Sequence, residues 1–470
     1  MKLNTRAIGP RTHEGAVASP ISPAEELRRS VLSCLLWENQ FYESGEDIAA
    51  RIARLVPKVG FDVLAELVIE ARESMKLRHV PLLLVREGLR HYGGRKMGDL
   101  IERVIQRPDE MGELMALYWQ EKPDAPLAKQ LKVGLARAFR KFDAYQLAKY
   151  DRNASVRLRD VVFLTHVRAG DNRVLAENIA KLVNKETIPA QVVERYGFEN
   201  MAPGLSVPDT WEVALSSGKD KRETFERMIQ ERKLGALAML RNLRGMIAAE
   251  VPEEIIRQGL VSMKTERVLP FRFLAAARYA PQFEPELEAG MFTSLNGVAK
   301  LPGMTVILVD ISSSMGSTLS VRSDMKRVDA AYGLAIMARE VCEQVRVMTF
   351  SDNIVEVPPR RGFALRDAMH NSQAHNATYL GKAVKEINRK GKVSDRLIVI
   401  TDEQSQDQVG APKAANAYMI NVASFQNGVG YEQGWTHING WSEHVVRYIA
   451  ALEGVADPVG GGDVLDESTE

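Results

Sequence analysis

Along the first part of the chain apolar residues recur at three- and four-residue spacing, as in Val63, Leu67, Ala71 and Met75. That spacing lays one apolar stripe along a helix. Pro and Gly interrupt the pattern, and it predicts helices over 24–38, 46–56, 62–76, 81–92, 127–150, 158–165, 224–250 and 252–263. Paired helices without a strand pattern over ~270 residues predict an α-solenoid of the HEAT kind, although no repeat is exact. Such a solenoid presents a long curved surface suited to a large ligand.

The pattern changes beyond 290–303, a stretch holding Gly290, Gly297, Pro302 and Gly303 that reads as a linker. Continuous apolar runs follow at 304–309, 345–350 and 396–401, with helical patterns at 329–342 and 383–388 between them. Strands alternating with helices predict a doubly wound α/β sheet, so the fold class is multidomain, α followed by α/β. A chain of 470 residues is also too long for one core.

Composition narrows the class. Hydrophobic residues make up 45% and charged residues 26% of the chain, and no apolar run reaches the ~18 residues needed to span a membrane. The first twenty residues mix Lys2, Arg6, Arg11, His13 and Glu14 with small residues and have no apolar core, which excludes a standard secretory signal. The two cysteines, Cys34 and Cys342, sit in separate apolar helical contexts. They read as buried thiols, so the expected location is cytoplasmic. From Ala456 onward the chain is acidic and Gly-rich, the composition of a disordered tail.

The net charge of +1 conceals a split, with 46 Lys+Arg against 40 Asp+Glu in residues 1–300 and 16 against 21 in 301–470. Residues 129–168 hold ten basic residues (Lys129, Lys132, Arg137, Arg140, Lys141, Lys149, Arg152, Arg157, Arg159, Arg168) against three acids. A phosphate backbone docks on such a footprint. A solvated helix face with snorkelling side chains carries equal weight on charge alone.

The sharpest chemistry is Asp310-Ile311-Ser312-Ser313-Ser314, closing the run 304–309. One carboxylate and two hydroxyls on alternate residues supply part of the oxygen shell of a small hard cation, for which Mg²⁺ is the expected ion. Thr378 and Asp402, the second directly after the run 396–401, complete the candidate set. In an open parallel sheet both aspartates fall beyond the carboxyl ends of strands, where ligands collect. Turn and N-cap chemistry is the alternative for the short motif alone. A phospho-aspartate enzyme is disfavoured because Ser312 stands where its second carboxylate belongs. A two-metal nuclease needs more clustered carboxylates than Asp310 and Asp402. With no HExxH, GxSxG, P-loop or cysteine cluster, the chain is read as no enzyme.

D-x-S-x-S with Thr378 and Asp402 resembles the metal-ion-dependent adhesion site of a von Willebrand factor A domain, over 300–455. The resemblance implies that the cation keeps one position for an acidic partner side chain. Upstream, four phrases carry a second resemblance: Lys149-Tyr150-Asp151-Arg152-Asn153 with Leu158-Arg159-Asp160-Val161; Thr165-His166; Pro208-Asp209-Thr210-Trp211; and the stretch from Lys233 to Arg244. With Leu269-Pro270-Phe271-Arg272, they resemble the TROVE module of the Ro autoantigen family, a ring of helical repeats joined to an A domain. On this reading 1–22 is an N-terminal segment, 23–290 the TROVE module, 300–455 the A domain and 456–470 the tail. Residues 36–42 depart from the animal pattern, which implies a bacterial or phage-type member.

The resemblance implies RNA binding: a small non-coding Y-like RNA on the outer basic surface, and the single-stranded 3′ end of misfolded RNA in a central hole. Lys149, Arg152 and His166 match family positions that contact Y RNA, with one residue fewer between Lys149 and Arg152 here. Arg140, Lys141 and Arg159 extend that basic set. A lone His in an apolar helix is more often structural, yet its place in the basic run favours RNA contact for His166. Arg241 and Arg244 either line the hole or brace neighbouring helices. The partners implied are RNA and an exoribonuclease such as polynucleotide phosphorylase, with the chain a monomer. The alternative reading is a Mg²⁺-dependent protein-adhesion module with the helical half as spacer.

Overall fold

The computed structural model describes residues 10–455 apart from 19–20, 33–44, 75–76, 121, 124, 152, 185–190, 192–193, 195–203, 207, 266–267, 269, 297–299, 321–322, 391–393, 424, 426, 431–433 and 441–443. Arg152, Cys34, the stretch 36–42 and the acidic tail therefore lie outside the described residues. The chain divides into two compact units, Ala53–Lys219 and the remainder, Met1–Ile52 with Asp220–Glu470.

Helices α1 (Pro23–Leu32) and α2 (Gly45–Leu55) lead into the all-helical unit. That unit holds α3 (Phe61–Ile69), α4 (His79–His91), α5 (Arg95–Val104), α6 (Pro108–Trp119), α7 (Lys129–Phe139), α8 (Ala144–Tyr150), α9 (Leu158–Thr165), α10 (Arg173–Val183) and α11 (Trp211–Ser216). The one helix expected over 127–150 is two. Asp143 accepts a hydrogen bond from Gln146 N at 2.7 Å, and that cap starts α8 afresh after α7 has ended. Helices α5 and α7 approach each other closely at Gly98 and Gly134. A Cβ at Gly134 would lie 2.6 Å from Ile101 Cβ and 2.8 Å from Gly98 O, so only glycine allows this approach.

In the other unit, α12 (Lys221–Gln230), α13 (Ala236–Ala248), α14 (Glu253–Ser262), α15 (Pro270–Tyr279) and α16 (Glu284–Ser294) precede the sheet. The helix expected over 224–250 also divides, because Asp220 caps α12 and Gly235 opens α13. Strands β1 (Leu301–Asp310), β4 (Cys342–Phe350), β5 (Ile354–Glu356), β6 (Arg396–Thr401), β7 (Asn416–Asn421) and β8 (Thr436–Asn439) form one sheet in the order β5-β4-β1-β6-β7-β8. All its pairings are parallel except that of edge strand β5. A small hairpin, β2 (Thr318–Ser320) and β3 (Ser323–Lys326), follows the Asp310 loop.

Period-two alternation sends Val306 and Leu308 of β1 to one face, where they pack with Leu380, Ala383 and Val384 of α19 (Leu380–Lys390). Helix α17 (Arg327–Val341) is buried along nearly its whole length and packs against β1, β4 and β6. Each large apolar side chain so buried contributes about 1.5–3 kcal/mol. Helix α18 (Gly362–His370) receives α16: Glu288 accepts from Phe363 N at 2.8 Å, and Arg366 donates to Glu284 at 3.1 Å. Helix α20 (His444–Leu452) closes the unit.

The stretch 290–303 is not the free linker that its glycines suggest. Gly290 lies within α16, where a Cβ would meet the Phe273 ring at 2.8 Å, and Gly303 lies within β1. Gly290 and Gly303 serve close packing. Cys342 is a buried free thiol. Among the described residues no helix is long and apolar enough to cross a membrane.

Candidate functional site

From β1 the chain passes to β4 on one side and later to β6 on the other, so the sheet's switch point is the carboxyl end of β1. A crevice forms there between diverging connections. Asp310 ends β1, and Asp402 follows Thr401, the last residue of β6. The Asp310 carboxylate is held from both sides: Ser312 N donates to Oδ1 at 2.9 Å and Thr401 Oγ1 to Oδ2 at 2.6 Å. Ser312 Oγ and Ser314 Oγ lie 3.3 Å apart.

The Thr378 loop is tied to both neighbours. Ser313 N donates to Asn376 O at 2.8 Å, and Gln406 N donates to Thr378 O at 2.9 Å. Ser405 Oγ reaches the same carbonyl at 3.3 Å. The three loops carrying Asp310, Ser312, Ser314, Thr378 and Asp402 are thus brought together, and all five residues are buried. Burial first, and then the charge of Asp402, pushes the Asp310 pKa up to about 7.

Two buried carboxylates in one site are costly unless a cation faces them. The chain supplies one. Arg327, at the start of α17, is fully buried with Nη1 3.6 Å from Asp402 Oδ2. Among the described residues one guanidinium, that of Arg327, faces the two aspartates, and this leaves a site whose charge and oxygen donors fit a small divalent ion. Among the described residues no group of three or more His, Cys, Asp or Glu could hold a metal. Any ion here therefore depends on the Ser and Thr hydroxyls as well as on the two aspartates.

The chain's own N-terminal segment binds the loop after Asp402, and no motif announces it. Thr12 Oγ1 donates to Ser405 O at 2.8 Å, His13 N to Gln404 Oε1 at 2.7 Å, and Asn427 Nδ2 to Arg11 O at 2.7 Å. Arg29 of α1 donates to Glu403 Oε1 at 2.9 Å and to Asn427 O at 3.0 Å, and His437 also contacts Glu403. Burial alone would raise the Glu403 pKa. Arg29 and His437 outweigh it and hold the carboxyl well below the usual carboxylate range.

In the all-helical unit, the basic run forms α7, α8, α9 and their connections. Arg140, Arg159 and His166 are exposed and Lys149 is half-buried, its ammonium 5.9 Å from the Tyr150 ring centre. Arg140 donates to Arg168 O at 2.8 Å, tying the end of α7 to the turn after α9. Lys141 is tied to α5. Its ammonium donates to the carbonyls of Glu102 and Ile105 at the end of α5, and burial lowers its pKa. Arg241 and Arg244 belong to the other unit, exposed on α13, with Arg244 over the Tyr279 ring at 5.1 Å.

Two comparisons bear on this architecture. The TROVE domain family model matches residues 201–382, a stretch that includes Asp310, Ser312, Ser314 and Thr378 and ends before Asp402. The crystal structure of the Ro (RSR) protein of Deinococcus radiodurans has the same fold, with a TM-score of 0.62 at 14% identity, covering 93% of this chain and 100% of that one. The chain thus combines a TROVE match over residues 201–382 with the fold of a bacterial Ro protein.

Proposed function

We propose that this chain is an RNA-binding protein that holds a small structured, Y-like RNA on the basic helices α7–α9 and captures unpaired 3′ ends of misfolded RNA, as a scaffold in RNA quality control. The observation that carries the reading is the exposure of Arg140, Arg159 and His166 on helices that precede the TROVE match. The guanidinium groups of Arg140 and Arg159 neutralise phosphates and release counterions, which gives affinity with little sequence preference. An exoribonuclease is the protein partner that this role calls for. The reading assigns no catalysis to the chain.

The five residues Asp310, Ser312, Ser314, Thr378 and Asp402 are proposed as the holders of Mg²⁺ in a von Willebrand A-type site. Bound there, the ion would supply a coordination position for an acidic side chain of a protein partner. The paired buried aspartates favour this second binding activity, which is compatible with the first.

Titration of a labelled hairpin RNA, with and without a single-stranded 3′ tail, at two salt concentrations tests the main reading. Tail-dependent, salt-sensitive binding without cleavage is expected. Equal affinity for both RNAs removes the 3′-end capture, and binding to neither leaves only the metal-dependent adhesion reading.

A further inference from the structure

We infer that Phe163 is a stacking platform for an unpaired RNA base, set between the guanidinium of Arg159 and the imidazole of His166. The inference rests on the RNA-binding reading and adds to it a residue and a ligand class. Arg159, Phe163 and His166 stand at i, i+4 and i+7, one face of α9 and its cap. The opposite face, Leu158, Val161, Val162 and Thr165, is the one buried against the unit. Nothing about holding the helix in place requires a large ring on the outer side.

Phe163 is nevertheless 57% exposed, more than Tyr448 at 50%, Tyr145 at 43% or Tyr279 at 39%. Tyr keeps a polar hydroxyl for water, whereas Phe has no polar handle and forfeits the full benefit of burial. The helix ends three residues later at His166, which enters the left-handed region at φ 55° and donates its N–H to Phe163 O at 3.3 Å. Histidine adopts that conformation more readily than bulky or branched residues. The cap stops the helix beside the ring and leaves the imidazole exposed.

Arg159 on the other side is half-exposed, with Nε 3.7 Å from Asp160, an exposed pair worth little against a phosphate. Arg140 and Arg168 are joined nearby by their 2.8 Å hydrogen bond. An aromatic face bordered by cations fits a base with its flanking phosphates, since every base has a π-face and every linkage a charge. A neutral apolar partner would not favour that border of cations. Paired bases keep their faces inside the duplex, so the ligand is single-stranded.

The test uses the full chain, a fluorescein-labelled twelve-nucleotide oligoadenylate and a blunt hairpin, with Phe163→Ala, Phe163→Trp and Arg159→Ala. Phe163→Ala is expected to weaken oligoadenylate binding at least about fivefold with its salt slope unchanged, and to leave the hairpin nearly unaffected. Phe163→Trp should restore affinity and show fluorescence quenching on saturation. Arg159→Ala should flatten the salt slope. If Phe163→Ala binds as the parent while Arg159→Ala is weakened, the platform is wrong and the RNA surface stands. If Phe163→Ala loses both RNAs equally and Phe163→Trp does not recover them, the ring only supports the fold. If the parent binds neither RNA, the RNA reading fails and the platform with it.

Discussion

Arg29 Nη1 lies 2.9 Å from Glu403 Oε1, both side chains are fully buried, and 374 positions of sequence separate them. Glu403 also accepts from Val429 N at 2.8 Å and Gly430 N at 3.1 Å, and it stands directly after the candidate ligand Asp402. The pair therefore joins the first described helix to a loop of the proposed metal site. Removing one partner of a buried pair strands the other charge, at about 3–5 kcal/mol. Arg29→Met should lower the urea-unfolding stability of its unit by that amount, and Arg29→Met/Glu403→Gln should recover at least about half of it. A loss below about 1 kcal/mol for Arg29→Met would show that the pair is not buried in solution.

Manganese titration by calorimetry addresses the second site. Asp310→Asn and Asp402→Asn are each expected to weaken binding by more than about tenfold, roughly 1.4 kcal/mol. Arg327→Met should act in the opposite direction, tightening binding by about tenfold, because the guanidinium 3.6 Å from Asp402 repels an incoming cation. Saturating the parent at a hundred times its dissociation constant should add about 2.7 kcal/mol to stability. Tight binding retained in both Asn variants would place the ion elsewhere.

Much of this was legible in the sequence, and the reasons differ by element. The strand 396–401 and the helix 158–165 match the structure residue for residue, because apolar runs and a clear stripe report burial directly. The convergence of Asp310 with Asp402 follows from strand order, which the alternating pattern implies. Splitting of the helix over 127–150 was visible in the Asp143-x-x-Gln146 cap, a signal weaker than the stripe running through it. Arg327 at the head of α17 and the contacts of Thr12, His13 and Arg29 with 403–405 were not legible at all. Such contacts depend on long-range packing, and neither periodicity nor spacing encodes a partner hundreds of residues away. Phe163 escaped for a related reason: an apolar residue in an apolar helix looks like core until its exposure is known.

Charge removal on the basic helices gives a separate expectation for the hairpin RNA. Arg140→Ala and Lys149→Ala should weaken binding uniformly across sequences. Each phosphate so released should flatten the log–log salt slope by about 0.9 on duplex RNA, taking the duplex DNA value as guide. Lys141→Ala should leave the slope unchanged, since its ammonium serves the α5 carbonyls. Equal slopes for all three variants and the parent would mean that phosphates dock elsewhere.

Gly134 reverses the usual effect of replacing a helical glycine. In an ordinary helix interior Gly→Ala stabilises by about 1 kcal/mol, because the backbone loses less freedom on folding. Here the added methyl would sit 2.6 Å from Ile101 Cβ and 2.8 Å from Gly98 O, atoms fixed to the α5 backbone that no rotamer change can move. Helices α5 and α7 must separate to admit it, and overpacking of this kind costs about 1–3 kcal/mol. Gly134→Ala should therefore lower the melting temperature, while Gly93→Ala, with open space around it and no positive φ, should leave it nearly unchanged. A stabilised Gly134→Ala protein would show that α5 and α7 do not pack at this distance.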